Sequence, residues 1–422
     1  MTESQTNFEV TVDKLVYGGD GLARLDGRVV FVPFVLPRER VAVATVDEKA
    51  GLLRTKLIDV LEPSAARVAA PCPYFGRCGG CHYQHANYDT QVALKRGILA
   101  ETLRRVGKLE PRQEINVIAG DPWHYRSRSQ FRIHGAELGY LEARSNRLCP
   151  IDQCPISSPR INRAISTLRE MLRDPRWPRF LRSLEVFTDE AQLQLNVLES
   201  ERPVARRFFE WCAEVMPDTV TGPLDYSAAG SLYRVSGGSF FQVNRYLVDP
   251  TVEAALENAE GQSALDLYAG VGLFSIPLAR RCGKVTAVES GASAARDLHF
   301  NAERAGIRVE LAQTSVESFL ADWTERPDFV LADPPRAGLG KAVVSHLARL
   351  APPRITIVAC DPATLARDLA GLVAAGYLIE RLTLIDLFPQ TFHIEAIAYL
   401  KKARQIQGAI SGESGTSIDL AN

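Results

Sequence analysis

Three residues in the C-terminal part of the chain have the types and settings that covalent chemistry requires. Cys360 ends the apolar run ITIVAC ahead of DPATLARDL, Asp333 follows the apolar run FVLA and opens DPPRAGL, and Glu395 stands inside FHIEAIAYL. A cysteine sulfur is a strong nucleophile once ionised. A carboxyl group inside an apolar strand is costly to ionise, so its pKa rises and it becomes a proton acceptor effective near neutrality. The alternative for Glu395 is a buried ion pair with His393 or Arg367. Pro334 and Pro335 stop the strand and leave Asp333 at the rim of a sheet. A thiol and carboxyl groups brought to one crevice suit a reaction that forms an adduct first and removes a proton afterwards.

Ahead of these residues, DLYAGVGLF puts Gly270 and Gly272 where a strand carrying Asp266 gives way to a helix. Backbone amides in such a turn can approach a polar ligand, helped by the helix dipole. Ser275 stands where a dinucleotide fingerprint needs its third small residue, which argues against a pyrophosphate cofactor. Glu289, at the end of the next strand, is suited to accept both hydroxyls of a ribose. The short loop therefore fits an adenosine ligand without pyrophosphate, with S-adenosyl-L-methionine as the natural candidate.

A different chemistry is written in CPYFGRCGGC, which packs Cys72, Cys78 and Cys81 into ten residues broken by glycines. Four thiolates hold either zinc or an iron–sulfur cubane. Three thiols at C-x5-C-x2-C with one distant partner lean towards a 4Fe–4S cluster, and Cys154 is the favoured fourth ligand, with Cys149 as its competitor.

The elements that must position these groups are legible in outline. The 422 residues are 46% hydrophobic and 23% charged, with a formal net charge of −1, as in ordinary soluble multidomain proteins. The near-neutral total gives no general attraction to nucleic acid, so any RNA surface must be local. With no secretory leader and no apolar run of about 20 residues, the chain reads as cytoplasmic, without a membrane segment. Short alternating runs over 7–62 predict a small β-barrel. The residues after it, with helical periodicity at 88–107 and 159–173 and strands in 123–142 and 182–199, predict an α+β middle domain. From about residue 240, strands and helices alternate as in a doubly wound α/β sheet, which binds ligands at its strand ends.

With these motifs together, the chain resembles the S-adenosylmethionine-dependent RNA uracil-5-methyltransferases over about residues 7–403. It looks most like the branch with an N-terminal TRAM barrel and a 4Fe–4S cluster, as in the 23S rRNA 5-methyluridine enzymes. The resemblance implies an OB-like TRAM barrel over 1–63, a cluster-bearing central domain over 64–239 and a Rossmann-like class I methyltransferase domain over 240–403, while the Gly-, Ser- and Gln-rich composition of 404–422 predicts a disordered tail. The resemblance selects Cys154 over Cys149 and iron–sulfur over zinc. It further implies cofactor contacts from Gln242 of FFQVN, Tyr268, Gly270, Gly272, Glu289 and Asp333. Cys360 matches the family nucleophile, Glu395 the general base, and Asp333 a base or hydrogen-bonding group for the enolate.

Asp361 departs from the family's usual Asn, and Leu273 from a polar residue. The expected reaction is methylation of uridine C5 in RNA, with 23S rRNA favoured, by a monomeric enzyme. tRNA as substrate, cytosine as the base, or a non-catalytic iron–sulfur RNA-binding module are the rivals. The target base must be unstacked or flipped out. Tyr125, Arg126, Arg128 and Arg132 either hold the RNA backbone or form a solvated strand face.

Overall fold

The computed structural model describes residues 7–111 and 113–403; the segment read as a disordered tail lies outside them. The N-terminal alternation becomes five strands, Asn7–Leu15, Gly21–Leu25, Arg28–Val32, Arg40–Lys49 and Leu52–Glu62, and the first and fourth pair to close a barrel. Every second side chain points inward, so Val10, Val12, Val30, Val41 and Val43 fill the interior. Gly21 is required there, because a Cβ would overlap Val35. Fully buried Glu39 anchors the barrel to the chain that follows, accepting from Ser64 N–H at 3.1 Å and from Arg67 Nε and Nη2 at 2.6 and 2.7 Å. Burial opposes its ionisation, but these donors prevail and hold its carboxyl below the usual range.

The central residues form a six-stranded sheet in the order Thr219–Val220, Leu193–Ser200, Leu181–Thr188, Arg128–His134, Glu137–Leu141, Leu148–Pro150. The helices Pro159–Met171 and Arg206–Val215 share its apolar core through Ile161, Leu168, Phe208 and Trp211. A hairpin, Leu224–Ala228 with Ser231–Val235, leads towards the C-terminal domain.

That domain is one eight-stranded sheet, ordered Glu310–Ala312, Lys284–Val288, Ser263–Leu267, Phe329–Ala332, Arg354–Ala359, Glu395–Lys402, Tyr377–Ile385, Asn116–Ile118. The first five strands run parallel, and the inner ones are largely buried and apolar because helices cover both faces. Glu395–Lys402 runs antiparallel to both of its neighbours. Residues 88–107 and 116–118 precede the six-stranded sheet in the chain but pack against this one. Helix Tyr88–Thr102 buries Ile98 and Leu99 in the same core as Leu365, Leu369 and Leu384, and Asn116–Ile118 adds the edge strand. Among the described residues no helix is long and apolar enough to cross a membrane.

Helix Tyr88–Thr102 also carries a fully buried lysine. Lys95 Nζ donates to Asp386 Oδ1 at 2.6 Å and to the Phe388 carbonyl at 2.8 Å, with both side chains of the ion pair inaccessible to solvent. Removing one partner strands the other charge in a low dielectric, which costs about 3–5 kcal/mol, whereas replacing both with apolar groups is far less damaging. Lys95→Ala is therefore expected to lose stability of that order in guanidinium unfolding. The double variant Lys95→Met/Asp386→Leu should recover most of it.

Candidate active site

The strand register assembles the reacting groups. Ala359 pairs with Ala396 across the antiparallel strands, so one residue further Cys360 stands opposite Glu395. On the other side of Arg354–Ala359, Ala332 pairs in parallel with Ile357, which brings Asp333 to the same rim, where its N–H donates to the Leu267 carbonyl at 3.3 Å. The three residues singled out by type thus meet at one sheet edge.

Electrostatics there follow from burial. Glu395 is buried (5% exposed), and desolvation, then the neighbouring Asp333, raises its pKa well above that of an ordinary glutamate. Arg367 is bound instead to Asp368, at 2.8 Å, and burial followed by Arg336 lowers His393 to about 4, so neither residue neutralises Glu395. Burial raises Asp333 to about 7. The Cys360 thiol is pushed up to about 12, by burial first and then by the negative charges of Glu395 and Asp333; the Arg336 guanidinium acts in the opposite direction. The thiol is therefore protonated at rest. Asp361 explains why the next helix does not activate it: the side chain caps Pro362–Ala374 and accepts from Ala363 and Thr364 N–H at 2.9 Å, using the donors that could have faced a thiolate. From the barrel, the hydroxyl of Tyr17 reaches the Cys360 carbonyl at 3.5 Å, and its ring meets the edge of Phe392.

The glycine turn lies beside this rim. Tyr268 and Gly270 have φ of +64° and +55°, and Gly272, at +90°, has room for no Cβ without crowding Leu298. Glu289 accepts from Gly270 N–H at 2.9 Å and from Gly291 N–H at 2.6 Å, so its carboxylate is fixed at the mouth of the turn with lone pairs left for a ligand. Asp266 lies beneath, inaccessible to solvent and bonded to the Ser275 hydroxyl. Leu273 is buried in the core. Gln242 is buried between two anchors: Ser239 Oγ donates to Asp297 at 2.8 Å and Asn244 Nδ2 to the Leu387 carbonyl at 3.0 Å.

Cys72, Cys78, Cys81 and Cys154 all line one cavity of about 1320 Å³ between the barrel, the cysteine loop and the central sheet. Cys149 is fully buried in the core of that sheet and does not line it. Burial raises the Cys72, Cys78 and Cys81 thiols, Cys78 to about 12. Among the described residues no group of three or more His, Cys, Asp or Glu side chains is placed to hold a metal ion. The same cavity receives Arg126, Arg128, Arg144 and Phe240, with Phe392 at its active-site end. Of the other residues considered for RNA contact, Tyr125 is instead wholly buried with its hydroxyl on the Pro389 carbonyl, and Arg132 is paired with Glu199.

The sheet order, with its one antiparallel strand, and the glycine turn before an acidic strand end define the class: a methyltransferase fold carrying a small N-terminal barrel. Residues 176–403 match the tRNA (Uracil-5-)-methyltransferase family, and residues 4–58 match the TRAM domain. The chain is 35% identical to an uncharacterized RNA methyltransferase of Aquifex aeolicus, over 93% of this chain and 98% of that protein. It is 31% identical to the 23S rRNA (uracil(1939)-C(5))-methyltransferase RlmD of Alkalilimnicola ehrlichii, over 94% and 97% respectively. The solved structure of the Pyrococcus abyssi tRNA (uracil-54, C5)-methyltransferase in complex with S-adenosyl-L-homocysteine matches with a TM-score of 0.73 and 25% identity, covering 93% of this chain and all of that one. The chain belongs to the RNA uracil-5-methyltransferase family.

Asp266 gives a pH test of this buried electrostatics. Burial raises its folded pKa to about 7, above the unfolded value, so the folded state holds the extra proton between about pH 4 and 7. The stability this proton confers is complete below pH 4 and lost as pH rises through 7. Relative to Asp266→Asn, the wild type should lose up to about 4 kcal/mol across that window, measured by urea unfolding at a series of pH values.

Proposed function

We propose that this enzyme methylates C5 of a uridine in ribosomal RNA through a transient bond between Cys360 and C6 of the base. The observation that carries the reading is the register that sets Cys360 opposite Glu395 with Asp333 on the adjoining strand end. Uracil C5 is a poor nucleophile until C6 is attacked. Asp333, near half-ionised at neutrality, takes the thiol proton as the sulfur of Cys360 bonds to C6 and the ring electrons move onto O4. The neutral acid can then donate a hydrogen bond to the enolate. Glu289, Tyr268, Gln242 and the amides around Gly270 and Gly272 would hold S-adenosyl-L-methionine, whose sulfonium would supply a methyl group to C5 and leave as the neutral thioether. Glu395, as carboxylate, removes the proton left on C5. The electrons of that C–H bond re-form the C5=C6 double bond and expel the Cys360 thiolate. A thiol kept protonated until a base arrives suits a nucleophile that needs its electrophile and proton acceptor in place together.

Support for ribosomal RNA comes from full-length similarity to 23S rRNA methyltransferases of Alkalilimnicola ehrlichii and Halomonas elongata, the latter at 32% identity. The target uridine would leave its stack to reach the rim, with the cavity between barrel and central sheet holding flanking RNA. Cys72, Cys78, Cys81 and Cys154 would hold the 4Fe–4S cluster. What supports this reading is that the four thiols line one cavity while Cys149 does not.

Cys360→Ala should abolish turnover while RNA binding stays within about threefold, since the thiol acts only in the covalent step; wild-type turnover in this variant would end the scheme. Glu395→Gln should accumulate a protein–RNA adduct that survives denaturing electrophoresis. Mass spectrometry of rRNA and tRNA fragments from cells with and without the enzyme decides the substrate, and a methyl group lost from tRNA alone would overturn the ribosomal assignment. Protein purified without oxygen should show the visible absorption of an iron–sulfur cluster, lost in Cys81→Ser.

A further inference from the structure

The loop 386–393 delivers Glu395 to the nucleophile, yet the groups that hold it come almost entirely from other parts of the chain. Lys95 binds Asp386 and the Phe388 carbonyl, Asn244 the Leu387 carbonyl, and Tyr125 the Pro389 carbonyl. The tightest hold is on Gln390. Its carbonyl accepts from the N–H groups of His82 and Tyr83 at 2.8 and 3.0 Å. Its own N–H donates to Gln91 Oε1 at 3.0 Å, and its Oε1 accepts from Gln91 Nε2 at 2.9 Å. Gln91 Nε2 is itself directed by the Ala86 carbonyl at 2.9 Å, and both glutamines are buried, at 1% and 2% exposure.

Gln390 sits at φ +69°, a left-handed conformation that costs a residue with a side chain about 1–2 kcal/mol and persists only where its surroundings enforce it. The enforcing groups are an amide side chain on helix Tyr88–Thr102 and two backbone amides directly after Cys81. Two residues beyond the turn, the Phe392 ring packs against the His82 ring, at 4.6 Å between centroids, and three further on stands Glu395.

We propose that Gln91 is a positioning residue for Glu395, acting through the left-handed turn at Gln390 and together with the His82–Tyr83 backbone. This rests on the reading of Glu395 as the base. Cys360 sits between the end of strand Arg354–Ala359, which has its own neighbours, and the helix capped by Asp361, so releasing the turn should displace the base and leave the nucleophile in place. The consequence is specific to one step: the adduct should form normally and resolve slowly.

Single-turnover reactions with an RNA substrate, stopped in denaturant, measure both rates. Gln91→Leu removes both of its bonds to Gln390; adduct should form within about twofold of the wild-type rate and resolve about 10-fold more slowly, with KM for RNA unchanged. Gln390→Asn keeps the backbone contacts and a residue tolerant of left-handed φ but shortens the amide, and should fall between the two. Wild-type resolution in a folded Gln91→Leu, or equal slowing of formation and resolution, overturns the proposal. If Gln91→Leu does not fold, the same readout on Gln390→Asn decides, and wild-type resolution there overturns it. Failure of the underlying reading is distinguishable: Glu395→Gln would then build up no adduct, and the proposal would fall with it.

Discussion

The antiparallel pairing of Arg354–Ala359 with Glu395–Lys402 is the constraint on which the site depends. Because side chains alternate across a strand, a slip of one residue would turn Glu395 to the other face of the sheet and separate it from Cys360. Apolar packing resists that slip. Ile355, Ile357, Ala398 and Leu400 belong to one core cluster, and Val358, Ile397 and Tyr399 to another. The hydrophobic effect thus fixes the spacing of a thiol and a carboxyl group that make no direct bond to each other.

The price of that placement is electrostatic. Two carboxyl groups and a thiol share a rim where burial disfavours every charged form, and Asp361 has taken the donors of the helix that could have helped. The outcome is a site at rest with its thiol protonated. The replacement of Asn by Asp at position 361 looks unfavourable beside a thiolate in sequence. In the fold its charge is spent on two backbone N–H groups.

The three parts of the chain are not independent modules around this rim. The barrel contributes Tyr17, whose hydroxyl approaches the Cys360 carbonyl while its ring touches Phe392. The cysteine loop contributes two amides and the His82 ring to the loop that leads to Glu395. Helix Tyr88–Thr102 adds Lys95 and Gln91. One cavity runs from the four cysteines to Phe392, so the surface suited to RNA and the loop that presents Glu395 share a wall.

Local chemistry made much of this legible. Alternating valines announced the barrel, apolar runs ending in Asp333 and Cys360 announced strand ends, and the spacing of Gly270, Gly272 and Glu289 announced a ligand turn, because each depends on residues close in the chain. Tyr377–Ile385 escaped notice because Glu380 and Arg381 interrupt its apolar character at an irregularity in the pairing. Tyr125 was misjudged as a surface residue, since nothing in its neighbourhood shows that its hydroxyl is consumed by a carbonyl 264 residues away. The residue types and their local order thus determined the parts list and its chemistry. Which strand faces which, that Gln91 holds Gln390, and that Cys360 stands opposite Glu395 were decided only by the tertiary structure. Those contacts join segments far apart in the chain, and their register is set by packing that no local pattern encodes.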